Sequence, residues 1–285
     1  MANAGIVDLG DAVLIFDSFA TVRAAADLKK AAEDLTKRSI RYVINSHPHM
    51  DHFHGNQVFS ESVIISTHKT RELIGTHGPA FLQYARSHPE FLSQYEERMN
   101  RETDSAKREE MKRNLGDFRA IGEELPDIDL KLPALTFTEA IEFHGSRRSA
   151  RLLTYGGGHS PSDALLYLPE ERIAFMGDLL SVQTHAAMKH GDDQEWLRIL
   201  DQVLTLPLES AVPGHGPVGD VQDVKTQRQY ILDLQELARD RLERGNEPAE
   251  DVPIPVAYRC WQAPSIFAEN LSFLIRKMSS SAEQP

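Results

Sequence analysis

The sequence predicts a layered α/β fold, and three observations carry that expectation. Short apolar runs of strand character alternate with longer stretches whose apolar residues recur at helical spacing. The strand-like runs form two sets, before and after a charged stretch, and each set carries its own helices. The chain has 285 residues, enough to bury a sizeable core as a single domain.

Taken in order, Ala12 to Asp17 (AVLIFD) reads as a buried strand, because a continuous apolar run suits burial on both faces. Thr21 to Arg38 reads as a helix with Ala24, Leu28, Ala31, Ala32 and Leu35 on one face. Arg41 to Asn45 (RYVIN) and Ser62 to Ser66 (SVIIS) read as strands, the second leading into a short helix through Leu73 and Ile74. In the second set, Ala140 to Phe143, Arg151 to Tyr155, Ala164 to Leu168, Arg172 to Met176 and Ser210 to Val212 read as strands. Helices are expected at Gln194 to Leu204, Val221 to Glu243 and Ser265 to Met278, with Tyr258, Trp261 and Phe267 as packing residues.

Between the sets lies Pro79 to Lys131, expected to be a helical insertion. Its segment Glu96 to Arg113 has 12 charged residues in 18, and Met111, Leu115, Phe118, Ile121 and Leu125 recur at helical spacing. It reads as a solvated helical hairpin docked by one apolar stripe. It also reads as a lid, with Phe81, Tyr84, Phe91 and Tyr95 over a pocket. The two readings are compatible.

Composition narrows the function. The net charge of −12 disfavours nucleic acid and anionic membrane surfaces as partners. Cys260 is the only cysteine, so no intrachain disulfide can form. Met1 to Gly10 has neither a basic nor an apolar leader region, and no apolar run approaches the roughly 18 residues of a membrane helix. The expectation is a cytoplasmic protein with a small-molecule substrate.

The chemistry is concentrated in Asn45 to Asn56, NSHPHMDHFHGN. Just after a strand, His47 and His49 point to one side because extended side chains alternate with period two. The chain then turns, and Asp51 and His52 can face the same spot. Neutral imidazoles and a carboxylate converging there suit a divalent metal such as zinc. Three further segments place a ligand-type residue at a strand end: His159 in GGGHSPSD, Asp178 in AFMGDL and His215 in VPGHGP. One such histidine would mean little, but four segments with the same logic carry weight.

These signatures, HxHxDH, GH, GD and GHG in that order from Ser46 to Pro217, resemble those of the metallo-β-lactamase-fold hydrolase superfamily. The resemblance implies a four-layer αβ/βα sandwich with a dinuclear metal site along one edge of its two sheets. It assigns His47, His49 and His159 to a first metal, Asp51, His52 and His215 to a second, and Asp178 to the bridge between them. Two divalent ions are implied, zinc foremost, with manganese or iron as alternatives. A hydroxide held between the ions would attack a small ester, thioester, lactone or phosphoester, with Asp51 orienting it or relaying its proton and Asp178 bridging. In β-lactamases proper the bridging position is a cysteine or serine, so a carboxylate there points to the other branches.

Two alternatives stand beside that reading: a mononuclear-iron oxidoreductase resembling persulfide dioxygenases, and a metal-bound member without catalysis. Members of the family usually begin with a β-hairpin before a segment like Asn3 to Gly10. One or two edge strands of the first sheet are therefore expected to be missing, with a partner subunit in a homo-oligomer or a shorter sheet at that edge. His54 reads as a support for the ligands or a turn residue, and His185 and His190 as substrate contacts or exposed loop histidines. His54, His185 and His190 together are the candidate substrate-binding residues. His68, His77, His88 and His144 read as surface or capping residues. Ser46 and Asp163 are placed to hold ligand imidazoles by hydrogen bonds or to serve their turns.

Overall fold

The computed structural model describes residues 2–244 and 249–282. Strands β1 (Gly5–Asp8), β2 (Val13–Phe16), β3 (Ile40–Ile44), β4 (Val63–Thr67) and β5 (Leu135–Phe137) form one sheet in that spatial order. β1 is antiparallel to β2, and the remaining neighbours run parallel. The second sheet has the order β10-β9-β8-β7-β6, from β6 (Ala140–His144), β7 (Ser149–Gly156), β8 (Asp163–Leu168), β9 (Ile173–Ser181) and β10 (Ser210–His215). β9 and β10 run parallel, and the other neighbours are antiparallel. The helices are α1 (Val22–Thr36), α2 (Met50–Phe53), α3 (His68–Ser87), α4 (Phe91–Arg101), α5 (Ser105–Glu124), α6 (Asp193–Val203), α7 (Val221–Arg244) and α8 (Pro264–Ala282).

β2 shows why the layers stack as they do. Leu14 and Phe16 point into the core between the sheets, with Ile44, Leu152 and Leu166. Val13 and Ile15 point the other way, onto Ala25, Leu28 and Ala32 of α1. A strand buried on both faces needs an unbroken apolar run, and each such side chain contributes about 1.5–3 kcal/mol by leaving water. On the far side of the second sheet, Trp196 of α6, Tyr230 and Leu234 of α7, and Phe267 and Leu271 of α8 complete the fourth layer. The metallo-β-lactamase sandwich expected from the motifs is the observed architecture.

Several details differ from expectation. The edge beside β2 is covered by the chain's own β1, whose four residues are too short to show a period in sequence. The three-residue β5 on the opposite edge escaped notice for the same reason. α1 buries Ala25, Leu28 and Ala32, one residue round from the expected face, and leaves Leu35 77% exposed. α3 is not a short helix. It runs 20 residues, through Gly75, Gly78 and Pro79 and into the expected insertion. Leu130 and Leu132 pack into the space those glycines leave, and a Cβ on Gly78 would stand 2.9 Å from Leu130. Tertiary packing here outweighs propensity costs of about 1 kcal/mol for glycine and 3 for proline.

The charged stretch after α3 forms α4 and α5. Leu115 of its apolar stripe is buried, while Met111, Phe118, Ile121 and Leu125 are half-buried. Buried Glu110 fastens α5 to the start of α8 by accepting from the Ser265 hydroxyl at 2.7 Å. Arg86 fastens α3 to the end of the insertion by donating to the carbonyls of Leu125 and Ile128.

Candidate metal centre

The C-terminal ends of β3 and β9, β10 and the turn between β7 and β8 meet at one edge of the sandwich. β9 and β10 are longer than the apolar runs suggested, so Asp178 and His215 lie inside strands. Both strands are distorted there: Gly177 has φ +52, and the β9–β10 register shifts on either side of Pro213. Gly214 lets the carboxylate of Asp178 lie against the backbone, because a Cβ at 214 would fall 1.9 Å from Asp178 Oδ1. After β3 the chain bends at His47 and Pro48, is extended at His49, then coils into α2, which presents Asp51 and His52.

All seven expected ligands converge. His47, His49, His159 and Asp178 form one group and Asp51, His52 and His215 another, each with its ligand atoms within 4.8 Å of one another. In the first group, His49 Nδ1 is 3.0 Å from His47 Nε2 and 3.0 Å from His159 Nε2. Asp178 Oδ2 lies 3.6 and 3.3 Å from those two Nε2 atoms. In the second, Asp51 Oδ2 is 3.6 Å from His52 Nε2 and 3.3 Å from His215 Nε2. Asp178 reaches this group too, with Oδ1 3.1 Å from His52 Nε2 and Oδ2 3.3 Å from His215 Nε2.

Such spacings are those of ligand atoms around a divalent ion with bonds of about 2.0–2.2 Å. Hydrogen bonding accounts for them poorly. His52 Nε2 and Asp178 Oδ1 are both buried without a hydrogen-bond partner despite their proximity. His49 Nδ1 faces two other ring nitrogens, and three lone-pair atoms in mutual contact fit a shared cation. The donor set thus fits a pair of divalent ions.

Electrostatics agrees. Burial holds the His47 imidazole well below its ordinary value, and it pushes His49 down to about 3, so both are neutral, ligand-ready rings. Burial opposes charge on His215 and His52 as well, but the carboxylates of Asp178 and Asp51 outweigh it. His215 is raised to about 10, and His52 is held well above its usual range. For Asp178, burial alone would raise the carboxyl, yet His215, His52, His47 and His159 hold it well below the ordinary value. The second group calls for positive charge.

A shell of hydrogen bonds fixes the ring orientations. Asp17, at the end of β2, accepts from His52 Nδ1, Ser46 Oγ and the Ser46 N–H, all at 2.8 Å. Ser46 Oγ spends its proton on Asp17 and so accepts from His47 Nδ1 at 2.9 Å, which leaves His47 Nε2 bare for a metal. Asp17 is buried and has φ +64, a left-handed conformation uncommon outside glycine. It is the main residue that the sequence reading missed. The available signal was an acidic residue closing an otherwise wholly apolar strand. Asn45 and Asn56 brace the same loop through paired amides, with Asn45 also donating to the His52 carbonyl.

Of the two roles open to them, Ser46 thus holds a ligand ring and Asp163 serves its turn. Its carboxylate accepts from the N–H groups of Gly158 and Ser160 and from the Ser160 hydroxyl, tightening the turn rather than touching a ring. His54, His185 and His190 all line the cleft of about 800 Å³ over the ligands. His190 Nδ1 lies 2.9 Å from His49 Nε2, a partner to a ligand ring. His185 is buried among Tyr230, Trp261 and Phe267, with Nδ1 2.8 Å from the Tyr230 hydroxyl. His54 is buried against Phe53 and faces Phe81. His77, read as a surface residue, is exposed but lines the cleft, because α3 extends past it. His68 and His144 are exposed, and His88 stacks on Tyr84 away from the ligands. Among the described residues, no helix is long and apolar enough to cross a membrane.

Comparison with known proteins agrees with this geometry. Residues 1–215 match the family model of the metallo-beta-lactamase superfamily. Among solved structures, the fold is similar to a metallo-beta-lactamase from Pontibacter korlensis, with TM-score 0.59 and 15% identity over 80% of this chain and 86% of that one. It is also similar to a metallo beta lactamase from Hirschia baltica, with TM-score 0.57 and 16% identity over 81% and 85% of the two chains. At such identities the likeness is one of fold. No curated protein sequence matches the chain.

Proposed function

This chain belongs to the metallo-β-lactamase superfamily, and we propose that it is a dinuclear metallo-hydrolase acting on a small ester, thioester, lactone or phosphoester. One observation above all supports this: two groups of ligand atoms lie side by side, and the Asp178 carboxylate reaches both. His47, His49 and His159 would hold one ion and Asp51, His52 and His215 the other, with Asp178 shared. Zinc suits the imidazole and carboxylate donors, and manganese or iron are the alternatives. When bound, such ions lower the pKa of water to about 7 and polarise a carbonyl or phosphoryl oxygen.

The chain's own groups do the rest. Asp51 is half-buried in the cleft, and its Oδ2, 3.3 Å from His215 Nε2, is placed to orient a water and hold its proton. His190 steadies His49 from the rim. His54 and His185 line the walls where the substrate would lie. Helical insertion 79–131 closes one side as a lid, with Phe81 reaching into the cleft. A carboxylate at Asp178 speaks for the ester, thioester, lactone and phosphoester branches rather than for β-lactams. A net charge of −12 speaks for a small substrate over a polyanion.

Metal analysis of the purified protein, paired with a panel of thioesters, lactones, phosphodiesters and β-lactams, tests the proposal. Two equivalents of zinc or manganese with turnover of a non-β-lactam substrate are expected. One equivalent of iron with oxygen consumption on a persulfide would replace hydrolysis with redox chemistry.

A further inference from the structure

The helical insertion encloses a second cavity, of about 690 Å³, next to the cleft over the ligands. Met50 and Phe81 line both. Met50 directly precedes Asp51 in α2, so this shared wall stands beside the second ligand group. The other walls are Phe91 and Leu92 of α4 and Phe118 and Ile121 of α5, with Ala85 and Gly122 leaving room between them. The volume lies within the roughly 300–1,000 Å³ of ordinary ligand pockets.

The chemistry of the walls selects the occupant. Arg86 and His88 are the basic groups in the lining, and both are engaged within it. Arg86 donates to the carbonyls of Leu125 and Ile128 at 2.9 Å, and His88 Nδ1 is 2.8 Å from the Tyr84 carbonyl. Among the described residues, no carboxylate lines the cavity. The stripe on α5 that should be core, Phe118 and Ile121, is only half-buried because it faces this space. A site that offers apolar and aromatic surface, with its charges already satisfied, recognises a hydrocarbon.

From this the geometry points to a substrate with an apolar tail, an acyl or alkyl chain. The tail occupies the cavity under α4 and α5 while its cleavable group lies over Asp51 and Asp178. The inference rests on the hydrolase reading and narrows it to long-chain esters or thioesters. Water adds across the scissile bond, one fragment leaves with the new O–H as an acid, and the other takes the proton as an alcohol or thiol. The shared walls explain why a pocket so apolar adjoins a site so polar: the tail passes Phe81 and Met50, and the head stays with the ligands.

Two measurements test this, one independent of turnover. Calorimetry with uncharged n-alcohols from butanol to decanol reads tail binding alone. Affinity should rise two- to fourfold per methylene, roughly the worth of burying that surface. Filling the cavity by Ala85→Phe, or by Ile121→Trp should the first variant fold poorly, should abolish the rise while metal content and Tm are kept. In the second measurement, p-nitrophenyl esters from acetate to decanoate share one leaving group. Their kcat/KM should climb with chain length, and the decanoate-to-acetate ratio should collapse toward one in the filled variants. Alcohols that fail to bind, or that bind the filled variants equally well, overturn the tail site whatever the esterase result. Alcohols that bind as expected in a protein that hydrolyses no ester, thioester, lactone or phosphoester uphold the tail site and count against the hydrolase reading alone.

Discussion

Gly214 and Asp178 occupy the same few ångströms: a Cβ at 214 would stand 1.9 Å from Oδ1 of Asp178. The carboxylate that reaches both ligand groups can adopt its position only because β10 carries no side chain at that point. Gly214→Ala is therefore expected to displace Asp178 and lower metal content below that of the unaltered protein, with the fold kept. Metal analysis and circular dichroism check this together. Full metal occupancy in the variant would show that the close approach is incidental.

Asp178→Ala should remove activity more completely than Asp51→Ala. Asp178 faces the ring nitrogens of both groups, whereas Asp51 lies against His52 and His215 only. The expected outcome is loss of both metal equivalents in the first variant and of about one in the second. Near-normal metal content and turnover in Asp178→Ala would refute the bridging role.

Asp17→Asn should weaken the second metal most, because the carboxylate meets His52 directly and His47 only through Ser46. Asp17 receives donors on both oxygens, and an amide would turn an N–H₂ toward either Ser46 or His52. Losing such a support to a ligand ring typically costs roughly 10–100-fold in metal affinity. Zinc titration against a chromophoric chelator should show the larger loss in one binding phase of two. An equal loss in both phases would mean that the link through Ser46 to His47 counts as much as the contact with His52.

A pH effect is expected at α6. Asp192 caps that helix, accepting from the N–H groups of Gln194 and Glu195 at 3.0 Å, and pairs with Lys277 at 2.9 Å. Burial pushes its carboxyl up, but the capping N–H groups and Lys277 hold it below the ordinary value. A carboxyl whose pKa is lower folded than unfolded adds stability above about pH 4, and that stability is lost as pH falls through the folded value. Asp192→Asn keeps a capping oxygen and removes the charge. The expected cost is under about 1 kcal/mol at pH 7, since the pair is partly exposed, shrinking toward zero as pH falls through the lowered folded value. Thermal melts of chelator-treated protein across that range decide it; a cost independent of pH would count against the ion pair.

How much the sequence discloses depends on how the information is carried. The seven ligands sit in short motifs near the C-terminal ends of strands, which bring them to one edge of the sandwich, so residue type and position sufficed even though Asp178 and His215 proved to lie within β9 and β10. β1 and β5 were hidden because four and three residues cannot display a period. α3 outruns its local signal: Gly75, Gly78 and Pro79 disfavour a helix locally, while Leu130 and Leu132, distant in the chain, pack against it and favour continuity. Asp17, and the place of His190 beside a ligand ring, are hidden for a related reason. Their partners, His52 and His49, lie 35 and 141 residues away, and only the folded chain brings them together.

The left-handed backbone at Asp17 has an evolutionary consequence. With φ at +64, the position suits glycine better than any other residue, and aspartate is among the few side chains that tolerate it. Conformation and chemistry therefore pull in opposite directions at this one codon. While both metals are needed, the carboxylate holds the position against glycine through His52 and through Ser46. In a descendant that worked with the first metal alone, that restraint would slacken to the bond with Ser46. Drift from aspartate to glycine or asparagine at the end of β2 would then be an early genetic mark of the change, ahead of any loss among the ligands themselves.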